Sequence, residues 1–338
     1  MSKIALLFFA LISGVPLFLN GQDVHYSQFE STPVFYNPAN VGFFSGTHRF
    51  SVIHRNQWAS VTVPYISVSA GFDTQLKIRK FKRDIFGFGV IAFTDRAGDL
   101  GFGTTQMSVA FSYIKSVNRK NNHFISLGAE AGIAQKGFQP NDARFGNQYS
   151  GGSYNPYLDD NEFFERTTFF YPDFALGLQW LLQPNTETVF HGGVAFRHFH
   201  EPNVSFLSND ETLSPSISIQ GGVVQSISES VDFMPSVLYS YQKPYHELLI
   251  GSQFRFIRNN NTYFYSAIRA GVFLRASDAM IVMLGLDLGR MNLGFSYDFN
   301  ISDLHPSSRY LGGYEISVQY ILNKKKKKKA SQVPCPIF

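Results

Sequence analysis

The chain has 338 residues, of which 16% are charged and another 16% are aromatic. Soluble domains have roughly 25% charged residues, so this composition is unusual for a soluble protein. The net charge of +4 depends on six consecutive lysines near the C-terminus, without which the chain would be slightly acidic. A basic tail is not the basic face that a nucleic-acid-binding domain presents, so we expect no nucleic-acid partner. The single cysteine, Cys335, excludes an intramolecular disulfide and a cysteine metal cluster.

The first 21 residues have the features of an export signal. Lys3 supplies a short positive region, residues 4–12 are apolar, and Gly21 is a small residue at the expected cleavage point before Gln22. This segment is too short to span a membrane as a helix, and no later stretch reaches about 18 uninterrupted apolar residues. We therefore predict a signal peptide over residues 1–21 and an exported chain without a transmembrane helix.

Residues 22–46 precede the first predicted strand and do not have the composition of a disordered linker. They contain Pro33, Pro38 and four phenylalanines, whereas disordered segments have few aromatic residues. We expect this segment to be periplasmic and plug-like, lying in the mouth of a barrel or beneath it.

From residue 47 onward, apolar and polar residues alternate. In 293–301 every odd-numbered residue is apolar or aromatic, whereas the even-numbered ones are Gly, Ser, Asp and Asn. This period of two is typical of a strand with one apolar face. Fourteen such segments are predicted, most of them long enough to cross a bilayer when tilted: 47–56, 61–75, 84–95, 104–117, 122–136, 168–183, 187–198, 215–227, 231–243, 245–257, 262–275, 277–289, 290–301 and 310–322.

Backbone groups within lipid must all be hydrogen bonded, so such a sheet has to close on itself. The predicted fold class is therefore all-β, a transmembrane antiparallel β-barrel of about 14 strands over residues 47–322. The polar face of its strands carries Glu130, Asp287, Asp298 and Glu315. With Arg49 or Arg55, these carboxylates form either a satisfied network that fills the lumen or the polar lining of a channel.

Two connections, 137–167 and 199–214, are long, and strand parity puts both on one side of the barrel. The turns on the other side are short, and bacterial barrels have long loops outside and short turns in the periplasm. We therefore expect periplasmic termini and a basic periplasmic tail over 323–338. The tail is either a solvated extension or a docking strip for an acidic partner, and its lysines are Lys324, Lys325, Lys326, Lys327, Lys328 and Lys329.

Catalytic and metal-binding motifs are weak in this sequence. No Gly-x-Ser-x-Gly elbow of a hydrolase occurs. His198 and His200 would share one face of an extended strand, but they lack a clear third ligand, which favours an ordinary pair at a loop edge. Residues 87–92 resemble a dinucleotide fingerprint without its helix, which favours inward glycines in a crowded lumen. We predict no catalytic residue, no cofactor site and no metal site.

Three motifs, taken in order, carry a family resemblance. The first includes Asn37 and Pro38, the second includes Arg55, Gln57 and Trp58, and the third includes Asp95, Gly98 and Asp99. Residues 294–298, 313–317 and the C-terminal 335–338 support them. Together these motifs resemble the PorP/SprF family of type IX secretion system outer-membrane proteins over residues 22–338. The resemblance gives the eight named residues a structural or partner-contact role and implies no catalytic residue.

The resemblance implies a non-enzymatic outer-membrane barrel from Bacteroidetes-like bacteria. Such a barrel is an accessory for the secretion or surface attachment of a cargo protein, for example an adhesin of gliding motility. The implied partners are type IX secretion components, a cargo with a C-terminal sorting domain, and the lipid and lipopolysaccharide of the membrane. We expect loops 137–167 and 199–214 to hold the cargo. The alternative is a porin or a transporter of hydrophobic small molecules.

Overall fold

The computed structural model describes residues 23–59, 63–78, 84–140, 143–150, 152–159, 164–207, 211–260, 265–302 and 308–322. The predicted signal peptide and the basic tail lie outside the described residues. Within the described part of the chain, no helix is long and apolar enough to cross a membrane.

Fourteen antiparallel strands of the described residues form one closed barrel in which chain neighbours pair and the last strand pairs with the first. These strands are β1 (His48–Gln57), β2 (Tyr65–Leu76), β3 (Ile85–Ala97), β4 (Phe102–Ser116), β5 (His123–Gly137), β8 (Thr168–Leu182), β9 (Thr188–Arg197), β10 (Ser216–Ser228), β11 (Val231–Gln242), β12 (Tyr245–Asn260), β13 (Tyr265–Arg275), β14 (Ala279–Leu288), β15 (Met291–Asn300) and β16 (Leu311–Leu322). The predicted all-β barrel of 14 strands is confirmed, and each predicted segment overlaps one observed strand. Between β5 and β8, the short strands β6 (Tyr149–Ser150) and β7 (Ser153–Tyr154) form a hairpin that was not predicted.

The alternation in sequence becomes an inside and an outside. In β4, Met107, Val109 and Phe111 face outward and remain 41–63% exposed, whereas Ser108 and Ser112 face inward and are buried. Apolar side chains on the outer face are what a lipid-facing barrel wall requires. The inner face of β4 carries mostly small and polar side chains, such as Gln106, Ser108, Ala110 and Ser112, which leaves room for other groups in the lumen.

The barrel has two ends that differ in their connections. At one end, here called the turn end, β1 begins, β16 ends, and connections such as 229–230 and 289–290 are short. At the other, here called the loop end, lie the connections 138–167 and 198–215.

Residues 23–44, here called the plug segment, lie inside the barrel, and every residue from Tyr26 to Phe44 is buried. The segment contains two 3₁₀ turns, Phe29–Ser31 and Pro38–Asn40, and one helical turn, α1 (Pro33–Tyr36). Proline begins both α1 and the second 3₁₀ turn, where its fixed φ suits a helix and no N–H is needed.

The plug segment runs through the barrel from one end to the other. Its first described residue, Asp23, bonds to His198 at the loop end, while Gly42 donates its N–H to Asp73 near the turn end. The predicted position of this segment is in the mouth of the barrel or beneath it, on the periplasmic side with both termini. The structure instead places Asp23 at the end opposite the start of β1. The physical reason is that the aromatic residues of the segment bury their rings against the inner wall.

Aromatic packing and inward glycines fix the path of the plug segment. Phe29 lies edge-on to Phe273 with ring centroids 6.4 Å apart, and Phe35 lies edge-on to Phe93 at 5.4 Å. A Cβ at Gly87 would lie 2.2 Å from the carbonyl oxygen of Val41, so only glycine permits this approach. The prediction that inward glycines in residues 87–92 serve a crowded lumen is confirmed.

Candidate functional site

The first polar cluster of the lumen joins the barrel wall to the start of the plug segment. The Arg55 guanidinium lies 3.3 Å from Asp298 and 3.0 Å from Glu315, and it donates to the His25 carbonyl at 2.7 Å. Glu315 also accepts the backbone N–H of Ser27 at 2.7 Å. Because these side chains are almost fully buried, their charges are weakly screened and hold the segment firmly.

Arg275 extends this cluster across the barrel. Its guanidinium donates to Glu247 at 2.9 Å and to Asp278 and Asp298 at 3.0 Å each. It also donates to the Ser27 hydroxyl at 2.6 Å. Two arginines therefore share Asp298, and the plug segment supplies the hydroxyl between them.

A second cluster holds the other end of the plug segment. Arg49 makes a two-pronged ion pair with Asp73, with both N–O distances at 2.9 Å, and it donates to the Asn40 carbonyl at 3.0 Å. Asp73 in turn accepts the N–H of Gly42 at 2.7 Å. Such fork-shaped pairs are directional, so the segment is held in a defined register near the turn end.

A third cluster lies at the loop end. Arg197 lies 3.3 Å from Glu130 and donates to the Phe35 carbonyl at 2.6 Å. The His198 ring lies 2.6 Å from Asp173 and 2.8 Å from Asp23. Burial by itself lowers the pKa of His198, but the two carboxylates outweigh it and raise the pKa to about 10. Burial raises the pKa of Asp23, yet the charge of His198 and its hydrogen bond hold that pKa at about 2. Both groups are therefore charged at neutral pH.

The structure places all four predicted lumen carboxylates inside the barrel, where Glu130, Asp287, Asp298 and Glu315 are each at most 5% exposed. Each has an arginine partner, including Arg269, which lies 3.1 Å from Asp287. Only Arg49 and Arg55 are predicted as lumen cations from the sequence, whereas the described residues hold four more: Arg197, Arg255, Arg269 and Arg275. Strand parity was the signal that could have found them, since Arg275 follows the outward-facing Leu274.

A metal site has no support in the described part of the chain, where no group of three His, Cys, Asp or Glu side chains could hold an ion. His198 is bonded to carboxylates, and His200 lies 2.8 Å from the Pro172 carbonyl. The two histidines therefore interact with separate partners in the protein.

The long connections at the loop end pack on each other. Phe206 lies between Phe138 and Phe169, with ring centroids at 5.0 and 4.9 Å. The Arg166 guanidinium lies 4.2 Å over the Phe169 ring and donates twice to the Ser205 carbonyl. We call Phe138, Phe169 and Phe206, with Arg166 and Ser205, the loop cluster. It joins the described parts of both connections at the loop end.

A family model described as type IX secretion system membrane protein PorP/SprF matches residues 18–320. This chain belongs to the PorP/SprF family. The predicted resemblance is thereby confirmed, and the molecule is an outer-membrane β-barrel of type IX secretion. No curated protein matches this PorP/SprF chain.

Two solved barrels have a similar fold. The toluene transporter TbuX of Ralstonia pickettii is 11% identical with a TM-score of 0.51, and the match covers 87% of this chain and 94% of TbuX. The deltaS2 mutant of the TodX monoaromatic hydrocarbon channel is 10% identical with a TM-score of 0.51, covering 87% of this chain and 94% of that one. At identities this low, the two structural matches show a shared barrel fold and no more than that.

Three of the PorP/SprF motif residues lie in the lumen. Asn37 accepts the N–H of Ala39 and donates to the Leu178 carbonyl, so it joins the plug segment to β8. Pro38 packs closely against Gly128 of β5. A Cβ added at Gly128 would lie 2.3 Å from the carbonyl carbon of Pro38. Arg55 belongs to the first polar cluster.

The other five motif residues lie at the loop end. Gln57 ends β1, and Trp58, in a left-handed conformation at φ 59°, packs against Tyr65 with the ring centroids 5.2 Å apart. Asp95 accepts the Ser67 hydroxyl. Gly98, at φ 67°, and the exposed Asp99 form the tight turn between β3 and β4.

Proposed function

We propose that this chain is a non-enzymatic accessory of type IX secretion that holds an exported cargo protein by its C-terminal sorting domain. Family membership supports the role in secretion. The observation that carries the binding role is the loop cluster, which presents two long connections as one ordered surface on a filled barrel. Recognition by ordered loops on a rigid scaffold is a common arrangement for binding proteins.

We further propose that the loop end faces the outside of the cell, where a cargo such as a gliding adhesin is displayed. Long outer loops and short periplasmic turns support this orientation. The strand ends at residues 48 and 322 would then face the periplasm, with residues 1–21 removed as a signal peptide. The lysine tail 324–329 would meet acidic periplasmic components of the machinery.

The tip of the connection 138–167 offers an apolar contact surface. Tyr157 is 95% exposed, and the adjacent Leu158 is 37% exposed. Tyr149, in the neighbouring hairpin, is 50% exposed. Aromatic side chains dominate the binding energy of many protein interfaces. These side chains are therefore the first candidates for contact with cargo.

The test is an affinity capture from detergent-solubilised outer membranes, followed by identification of the co-purifying proteins. We expect a large secreted protein with a sorting domain, together with type IX components. A chain with Tyr157→Ser and Leu158→Ser should lose the cargo and keep the barrel. Ile78→Ser, which changes an exposed apolar residue at the turn end, is the matched control and should keep the cargo. Capture of cargo by the tip variant at the wild-type level would refute this contact surface.

Transport of small molecules is the second candidate, because TbuX and TodX are described as a transporter and a channel for such compounds. The plug segment weakens this candidate, because its residues from Tyr26 to Phe44 are buried within the lumen and pack their aromatic rings there. In a planar lipid bilayer we expect the intact protein to be insulating and a deletion of residues 23–44 to conduct. Steady conductance by the intact protein would move transport to first place.

A further inference from the structure

A cavity of about 110 Å³ lies at the loop end, between the plug segment and the wall formed by β3, β4, β5, β8 and the end of β9. We call it the loop-end cavity. Its apolar walls are the rings of Phe35, Phe93, Phe102 and Tyr171. An engineered cavity of about 150 Å³ with apolar walls binds benzene, so this cavity suits one apolar side chain.

Lys136 supplies the cavity with a cation that makes no close ion pair with the described residues, and the carboxylates of Asp23 and Glu211 act on it from a longer distance. Its ammonium lies 5.4 Å from the Phe102 ring centre, and no carboxylate of the described residues lies within ion-pair distance of it. The other cations that line the cavity are paired, Arg197 with Glu130 and His198 with Asp23. A charge held among aromatic rings is stabilised by an opposite charge, which a ligand can provide.

Arg197 adds a second hydrogen-bond donor to this side of the cavity. The Nε–H of Arg197 is buried without a hydrogen-bond partner in the structure. The lining carboxylate of Asp95 accepts the Ser67 hydroxyl, and that of Asp23 is held by His198. Asp23 is 37% exposed, so the cavity reaches solvent at the loop end. An incoming carboxylate would meet Lys136 and the free donor of Arg197.

We propose that the loop-end cavity binds an apolar group that carries a carboxylate, and that its occupant is the C-terminal residue of the cargo. The aromatic walls would take the side chain, and Lys136 would take the terminal carboxylate. The cavity lies at the base of the loop surface proposed above for cargo binding. The choice of a peptide as occupant therefore rests on that proposed function.

The test uses isothermal titration of the full-length protein in detergent with three probes. N-acetyl-L-phenylalanine mimics a peptide terminus, its primary amide lacks the carboxylate, and 3-phenylpropionate is a free acid without a peptide group. We expect the first probe to bind and its amide to bind at least about tenfold more weakly, since a charge-assisted pair is lost. Lys136→Met should cause a similar loss, whereas Lys115→Met, on the exposed outer face of β4, should bind like the wild type.

The outcomes separate the ligand sources. Stronger binding of 3-phenylpropionate than of N-acetyl-L-phenylalanine would overturn the peptide assignment in favour of a small free acid. If the folded wild-type protein binds N-acetyl-L-phenylalanine and its amide equally well, the site is overturned. Binding of neither probe would also overturn it.

Affinity capture distinguishes this proposal from the proposed function. If Lys136→Met captures cargo as well as the wild type, the cavity assignment fails while the cargo role stands. If the wild type captures no cargo, the cargo role itself fails. Unchanged heat-modifiable migration of Lys136→Met on a gel shows that the variant barrel is folded.

Discussion

Replacing Arg55 by methionine removes the cation that lies between Asp298 and Glu315, whose side chains are 4% and 1% exposed. Breaking a buried ion pair by removing one partner costs about 3–5 kcal/mol, because an uncompensated charge stays buried. Here Arg275 still neutralises Asp298 at 3.0 Å, so the cost falls mainly on Glu315. We therefore expect Arg55→Met to lower the free energy of unfolding by about 3 kcal/mol, the lower end of that range.

The assay is urea unfolding in lipid vesicles followed by tryptophan fluorescence. Arg258→Met, at an exposed arginine near the end of β12, is the matched control and should change the free energy by less than about 0.5 kcal/mol. Adding Glu315→Gln to Arg55→Met should recover at least about 1 kcal/mol, since the stranded charge is removed. If Arg55→Met is as stable as the control, or if Glu315→Gln only adds a further loss, the electrostatic account of this cluster is refuted.

Three further predictions follow from the packing and the charges. Gly128→Ala would put a Cβ 2.3 Å from backbone atoms of the plug segment, and we expect thermal unfolding to show a loss of about 1–3 kcal/mol; Gly146→Ala, with open space around it, should show none. The stabilisation from His198 is fully present below its unfolded pKa of about 6.5 and is lost as the pH rises through about 10, so unfolding measured from pH 6 to 11 should show a decline that His198→Asn abolishes. A decline that persists in His198→Asn would assign it to another group. Phe206→Ala should loosen both long connections because their shared ring is removed, and limited proteolysis should cut them faster while the barrel stays intact; an unchanged cleavage rate would show that the loop cluster does not order them.

The sequence by itself determined the barrel, its strand count and most strand bounds. The segment predicted over 231–243 is observed as Val231–Gln242, and the one predicted over 310–322 is observed as Leu311–Leu322. This success has a local cause, because a period of two and the length of a membrane-crossing strand are both properties of a short stretch of chain. The inward face of Glu315 and Asp298 follows from the same parity.

Only the tertiary structure decided what these inward groups contact. Arg55 and Glu315 face each other in the register that closes β1 on β16, and Ser27, which Glu315 also binds, lies 288 residues away in the chain. The depth of the plug segment likewise depends on such distant contacts, so the sequence placed it at the mouth of the barrel while the structure runs it through the lumen. The loop-end cavity and its Lys136, which makes no close ion pair, arise where five strands and the plug segment meet. The alternation of residues along one strand does not predict this arrangement. It depends on the closure of the sheet and on the shape of the plug segment inside the barrel.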